Sequence, residues 1–143
     1  MTKEFSTISE LRSIRERKSR LSERERELTE SSLDDLNIIS ELYNHYSSYR
    51  KCPNERRASG RYRQCFLFCV LFLYSPSTLA GGQMKNGLRE ELSRAMGLHN
   101  PTKVSQLCVN LTFNYDNYKD FREEVDNDYQ KLTSWLKAKE LIK

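Results

Sequence analysis

A run of ten apolar residues at positions 65–74 constrains the fold of this chain more than any other sequence feature. A membrane-spanning helix needs about 20 apolar residues, so this run is too short to cross a bilayer. As a β-strand it has no partner segment of the same kind, and Ser75 and Pro76 end it. We therefore expect a helix that is apolar on all sides and lies at the centre of a helical core.

The composition favours the same fold class. Of 143 residues, 31% are charged and 37% hydrophobic, with only 5 Gly and 3 Pro. A turn-rich β-sandwich needs more turn residues than this, and a membrane bundle needs more apolar ones. We expect an all-α fold in which a small helical core, residues 33–143, follows an extended charged helical arm, residues 1–32.

The arm has the charge pattern of a long solvated helix with a partial coiled-coil seam. Residues 1–32 carry eight Lys or Arg, seven Asp or Glu, and no Gly or Pro. The predicted seam consists of Leu11, Ile14, Leu21 and Leu28, the last three spaced by seven, whereas the companion positions Lys18 and Glu25 are charged. We expect this arm to dock on a protein partner or on a second copy, which gives a homo-oligomer. The alternative is a charged tail without a partner.

A basic segment follows the first core helix. Residues 50–63 contain six Lys or Arg against one Glu, and Pro53 and Gly60 predict a loop. Such a block either meets phosphate or is simply a solvated surface.

Two further helices are predicted, one at each end of the helical core. The first begins at Ser31 or Ser32, because an aspartate follows each serine three residues later. The last covers residues 117–143, with an apolar stripe made of Tyr118, Phe121, Val125, Tyr129, Leu132 and Leu136.

Residues 86–111 predict two short helices joined by a sharp turn. Leu88, Leu92 and Met96 share one face of the first helix, Gly97 supplies a left-handed residue, and Leu98 fills the angle between the helices. The second helix begins at Pro101. Its predicted inward residues are Val104, Leu107, Cys108 and Leu111.

This segment resembles the helix-turn-helix of phage and bacterial DNA-binding proteins through Met96-Gly97-Leu98 and Thr102-Lys103-Val104-Ser105. The turn is one residue longer than usual, and Ser93 stands where alanine is commoner. The resemblance implies that the second helix enters the major groove of duplex DNA. Base contacts are then expected from Thr102, Lys103, Gln106 and Asn110, and phosphate contacts from Lys85, Arg89, Arg94, Arg56, Arg57, Arg61 and Arg63. A plain helical hairpin without a DNA role has the same pattern.

Residues 75–92 and 113–125 also resemble small uncharacterised proteins of phages and mobile elements of the Bacteroides group. That resemblance implies a viral or mobile-element setting and no defined activity. We expect a non-enzymatic DNA-binding protein of the helix-turn-helix type. The alternative is a small assembly or interaction protein, such as a virion or packaging component or a regulator of a host protein, that docks through its arm.

The remaining residues point to no reaction and no cofactor. Four cysteines form no CxxC pair and only two histidines are present, so we expect no metal site. No nucleotide-binding or hydrolase motif is present in the sequence. The first thirty residues are too charged for a secretory signal. We expect the protein in the cytoplasm of a bacterial host, or associated with a virion under the alternative function.

Overall fold

The computed structural model describes residues 3–50 and 60–142, and within them every regular element is helical, which confirms the predicted all-α fold. The described residues form eight helical segments, of which α4 is a single turn. Their bounds are α1 Lys3–Leu28, α2 Ile38–Arg50, α3 Gly60–Tyr74, α4 Pro76–Leu79, α5 Leu88–Ala95, α6 Pro101–Cys108, α7 Leu111–Asn117 and α8 Lys119–Ala138.

The chain divides into two compact units, Met1–Glu30 and Ser31–Lys143. The first unit is α1, a single helix with ion pairs between residues three apart, such as Arg24 with Glu27 at 3.0 Å. Its large apolar side chains are all exposed: Phe5, Ile8, Leu11, Ile14, Leu21 and Leu28. No other described residue of the first unit therefore covers these side chains.

In the second unit, α3 is the central helix, as the apolar run predicted. It packs against α2, α4, α6 and α8, and most of its side chains from Cys65 to Tyr74 are fully buried. Phe68 is partly buried and Phe72 is 47% exposed, so α3 has one edge at the surface. Among the described helices, none combines the length and the hydropathy required to span a membrane.

The predicted start of α2 at Ser31 or Ser32 is wrong, because the helix begins at Ile38. The backbone N–H groups of Ser32 and Leu33 both donate to the carbonyl of Leu73, at 2.9 and 3.0 Å. These bonds satisfy a carbonyl at the end of α3 and hold residues 31–37 in an irregular connection.

The predicted bounds of the loop 50–63 are wrong, because the residues at both of its ends are helical. Arg50 is the last residue of α2, and Arg61 and Arg63 belong to the first turns of α3. Ion pairs with α8 favour this arrangement, since Arg50 lies 3.4 Å from Asp128 and Arg61 lies 3.0 Å from Glu124. Residues 51–59 lie outside the described part of the chain.

The predicted single helix 117–143 is also wrong in its bounds. The structure has α7 up to Asn117 and a separate α8, with extended backbone at Tyr118 between them (φ −116°, ψ 109°). Arg122 donates to the carbonyls of Tyr115 (3.0 Å) and Asp116 (2.8 Å), which satisfies acceptors at the end of α7.

The buried stripe of α8 includes Phe121, Val125, Leu132 and Leu136, as predicted. Asp128, at 1% exposed, occupies the central position of that stripe, while the predicted Tyr129 is only half-buried. The helix is therefore rotated slightly from the orientation that the apolar residues alone indicate.

Candidate nucleic-acid interface

The turn between α5 and α6 is centred on Gly97, as predicted. Gly97 has φ 68°, in the left-handed region that favours glycine. The N–H of Leu98 donates to the Ser93 carbonyl at 2.9 Å, and the N–H of Gly97 donates to the Arg94 carbonyl at 3.2 Å. This pair of bonds is the Schellman motif, which ends a helix and turns the chain sharply.

Ser93, where helix-turn-helix proteins more often have alanine, takes part in the same turn. Its side chain is buried, and its hydroxyl donates to the carbonyl of Leu98 at 3.1 Å. Because the Leu98 N–H already bonds to the Ser93 carbonyl, the two residues are joined twice. The unusual serine therefore strengthens the turn rather than disturbing it.

The start of α6 is fixed by capping. The side chain of Asn100 accepts a hydrogen bond from the N–H of Thr102 at 2.9 Å, and Pro101 occupies the first turn. Leu98 packs against the core, as predicted for the residue between the two helices.

The inner face of α6 is held by α5 and α3. Val104 is fully buried, and the Gln64 amide Nε2 on α3 donates to the Leu107 carbonyl at 3.2 Å. The outer face carries three exposed polar side chains, Thr102, Lys103 and Gln106. These are three of the four residues that the sequence predicted to contact bases.

The fourth residue, Asn110, does not lie on α6. The helix ends at Cys108, and Asn110 has left-handed backbone (φ 69°) immediately before α7. The prediction that α6 extends to Leu111 is wrong, because Leu111 begins α7 and is buried there. A hydrogen bond from the Thr112 hydroxyl to the Leu79 carbonyl, at 2.7 Å, fixes the start of α7.

The basic residues that flank α6 on the α5 side all have partners within the chain. Lys85 pairs with Asp34, Arg94 lies 3.3 Å from Glu91, and Arg89 Nη1 donates to the Ser105 hydroxyl at 3.2 Å. The hydrogen bonds from Lys85 and Ser31 lower the pKa of Asp34. The local positive charge is therefore partly neutralised by neighbouring carboxylates.

The remaining predicted phosphate contacts belong to the basic segment. Arg61 Nε lies 3.0 Å from Glu124 Oε2, and Arg63 is half-buried on α3. Arg56 and Arg57 lie outside the described residues. Since Gln64 bonds to the last turn of α6, the beginning of α3 lies beside the C-terminal end of that helix.

A polar cleft of about 510 Å³ lies between the segment that leads into α5 and the side of α6. Its lining includes Lys85, Gly87, Arg89, Ser105 and Cys108. Burial raises the pKa of the Cys108 thiol to about 11, so this cysteine is protonated at neutral pH and is a poor nucleophile. The cleft offers cationic and hydroxyl donors beside α6.

Within residues 3–50 and 60–142, no three side chains of the His, Cys, Asp and Glu types come close enough to hold a metal ion. The chain matches no protein-family model, and neither a curated protein nor a solved structure is significantly similar to it.

One polar cluster of the core was missed by the sequence reasoning. The Asp128 carboxylate accepts a hydrogen bond from the Tyr49 hydroxyl at 3.0 Å and lies 3.4 Å from Arg50. The signal was present in the sequence, since Asp128 lies three residues after Val125 and four before Leu132, at an apolar position of the helix. This cluster joins α2 to α8 and is remote in sequence from the α5–α6 hairpin.

The Gly97 turn leads to a first prediction. A Cβ at this position meets no atom within 4 Å, so Gly97→Ala introduces only backbone strain and should lower the free energy of unfolding by about 1–2 kcal/mol.

Glu140, with φ 60° after α8, occupies the corresponding left-handed position there, so Glu140→Gly should stabilise the protein by about 1 kcal/mol. Urea unfolding followed by circular dichroism measures both. A destabilising Glu140→Gly would contradict the assigned backbone conformation.

Proposed function

We propose that this protein binds duplex DNA without catalysing a reaction, and that α6 is the helix that enters the major groove. One observation supports this most: the Gly97 turn and the buried Val104 hold α6 firmly on the core, while Thr102, Lys103 and Gln106 remain exposed on its outer face. The N-terminal half of a recognition helix is the part that reaches base edges, and these residues lie there or just beyond it.

The chemistry of the three side chains suits base recognition. A lysine ammonium donates to the O6 and N7 acceptors of guanine, and a glutamine amide pairs with N6 and N7 of adenine. A threonine offers a hydroxyl for hydrogen bonds and a methyl group for contact with thymine. Asn110 is left out of the proposed set because it follows the end of α6.

We propose the flanking cations as phosphate contacts. A cation that is paired within the chain must first exchange its partner for a phosphate oxygen. Arg94 and its partner Glu91 form a surface ion pair, which contributes only about 0–1 kcal/mol. A DNA phosphate also offers charge-assisted hydrogen bonds to a guanidinium, so the exchange has little net cost. Lys85, Arg89 and Arg61 can likewise exchange their partners Asp34, Ser105 and Glu124 for phosphate oxygens. The further predicted contacts are Arg56, Arg57 and Arg63.

The setting in a phage or mobile element, and hence in a bacterial cytoplasm, remains part of this proposal. It is supported by the resemblance of residues 75–92 and 113–125 to small proteins of Bacteroides-group elements.

Binding should be tested by fluorescence anisotropy with a labelled mixed-sequence duplex over a range of salt concentrations. We expect a dissociation constant of about 1–100 μM at low to moderate salt, weakening linearly on logarithmic axes as salt rises. Lys103→Glu should weaken binding about tenfold or more, because it places a carboxylate against the groove.

Lys137→Glu is the matched control, since Lys137 is an exposed lysine on α8 and its change alters net charge equally. It should change affinity less than about threefold at moderate salt, where distant charges are screened. If both variants weaken DNA binding equally, or if the wild-type chain does not bind at low salt, α6 is not the helix that enters the major groove.

A second candidate function is assembly through α1, and one observation favours it. The predicted seam residues Leu11, Ile14, Leu21 and Leu28 are 41–69% exposed. Such a series of large apolar side chains on one helix is typical of a surface that pairs with another protein. This function, in a virion or packaging component or in a regulator of a host protein, does not require DNA.

A further inference from the structure

We propose that the polar cleft beside α6 binds a small organic phosphate, of about the size of a sugar phosphate. The cleft has a volume of about 510 Å³ and lies between the segment that leads into α5 and the side of α6. Small-molecule sites have volumes of a few hundred Å³ or more, and this one has room for more than a bare phosphate ion. The effect of the ligand on DNA affinity rests on the proposed function, whereas its binding to the cleft does not.

The guanidinium of Arg89 lies at this cleft, beside the Ser105 hydroxyl that also lines it. Nη1 of Arg89 donates to that hydroxyl at 3.2 Å, while Nη2 lies 4.0 Å from a Glu90 carboxylate oxygen, too far for a hydrogen bond. A guanidinium has five N–H donors, so most of those of Arg89 take part in no hydrogen bond with the described residues. Such a group can donate to two oxygens of one phosphate at the same time.

Two further donors line the same cleft. The Ser105 hydroxyl accepts from Arg89, and among the described residues no acceptor takes the proton of that hydroxyl. Lys85 is paired with Asp34, whose side chain is 79% exposed. Because an ion pair at the surface contributes little to stability, a ligand that brings its own negative charge can replace Asp34 at modest cost.

The charges at the cleft favour a phosphate over a carboxylate. Lys85 and Arg89 are cations, and Glu90 is the single carboxylate among the described residues that line the cleft. Since Glu90 is exposed and forms no hydrogen bond with Arg89, it neutralises that cation weakly. A phosphate monoester carries a charge of about −1.5 to −2 at neutral pH and three acceptor oxygens, whereas a carboxylate has a single negative charge and two oxygens. The phosphate is therefore the better match for two cations and a hydroxyl.

The lining also has uncharged surface for the organic part of the ligand. Met84 and Cys108 line the cleft and are partly buried against the apolar core. The Cys108 thiol is protonated at neutral pH, so it adds no negative charge that would repel a phosphate. A lining that combines a few polar donors with apolar side chains is typical of sites for small organic molecules.

Isothermal titration calorimetry of the full-length protein at constant ionic strength tests the proposal, with ribose 5-phosphate as the probe. We expect saturable binding with a dissociation constant of about 0.1–1 mM, tighter than that of inorganic phosphate, and no binding of ribose. Arg89→Gln should weaken binding about tenfold or more, because it removes a cation that donates to two oxygens. Ser105→Ala should weaken it about three- to fivefold, as expected for the loss of one neutral hydrogen bond.

Arg94→Gln is the matched control, because it makes the same change on the same helix. Arg94 is exposed and does not line the cleft. This variant should bind ribose 5-phosphate within about twofold of the wild-type affinity. No saturable binding by the wild-type chain, or equal weakening by Arg89→Gln and Arg94→Gln, would overturn the site. Succinate that binds as tightly as ribose 5-phosphate would overturn a phosphate as the ligand class.

The ligand should also compete with DNA, because Lys85 and Arg89 are among the proposed phosphate contacts. In the anisotropy assay at constant ionic strength, saturating ribose 5-phosphate should weaken duplex binding about threefold or more. An unchanged duplex affinity at saturation would overturn the shared use of these two residues. A chain that binds ribose 5-phosphate but no duplex would contradict the proposed function alone, whereas a chain that binds duplex but no ribose 5-phosphate would contradict the cleft site alone.

Discussion

Replacing Phe66 with alanine is expected to lower the free energy of unfolding by about 4 kcal/mol, enough to unfold much of a marginally stable domain. Phe66 lies on the central helix α3 with no exposed surface. Its ring contacts Tyr43 and Tyr46 of α2, with centroids 5.0 and 5.1 Å apart. Truncation therefore removes both the buried ring and two aromatic contacts, and leaves a cavity between α2 and α3.

Phe72→Ala provides the control on the same helix. Phe72 is 47% exposed and its main aromatic contact is an edge contact with Tyr129 at 5.3 Å. We expect a loss of about 1 kcal/mol, measured by the same urea titration monitored by circular dichroism. Equal losses in the two variants would show that α3 is not oriented as described.

Replacing Arg50 with methionine is expected to destabilise the protein by about 3 kcal/mol at neutral pH. The Asp128 side chain is only 2% exposed, and the Arg50 guanidinium, 3.4 Å away, is its counter-ion. Methionine keeps most of the side-chain volume but leaves this carboxylate buried without a cation. Removing one partner of a buried ion pair costs far more than the pair itself contributes.

The destabilisation by Arg50→Met should decrease as the pH falls. Burial raises the pKa of Asp128 above its ordinary value, and Arg50 and Tyr49 oppose that rise. Without Arg50 the pKa rises further, so the folded variant takes up a proton more readily than the unfolded chain does. Its stability relative to the wild type therefore improves as the pH falls through the pKa of Asp128.

Arg61→Met is the matched control, because its partner Glu124 has a side chain that is 38% exposed. We expect a loss below about 1 kcal/mol with little change between neutral and mildly acidic pH. An Arg50→Met penalty that stays constant over that pH range would contradict the role assigned to Asp128.

The sequence predicted correctly those elements that are determined by residues close together in the chain. The charged repeat predicted α1, the apolar run predicted α3, and Gly97 with Leu98 located the turn between α5 and α6. Each of these depends on residues a few positions apart, whose helical spacing or left-handed backbone is visible in the sequence.

The errors came from contacts between residues distant in the chain. The start of α2 depends on the Leu73 carbonyl, and the end of α6 depends on Gln64, which is 43 residues before its partner Leu107. The candidate site shows the same division. The outward face of α6 followed from periodicity, whereas the ion pair between Lys85 and Asp34 joins residues 51 positions apart.

The buried carboxylate of Asp128 also affects which arrangement of these helices is selected. Its hydrogen bond to Tyr49 joins residues 79 positions apart, so it forms only when α2 and α8 are both in place. Helices with apolar stripes pack together in many nearly equivalent ways, but a shifted α8 would bury Asp128 away from Arg50. We therefore expect this single aspartate to disfavour misassembled cores, at a cost to stability, and to make the native state more uniquely defined.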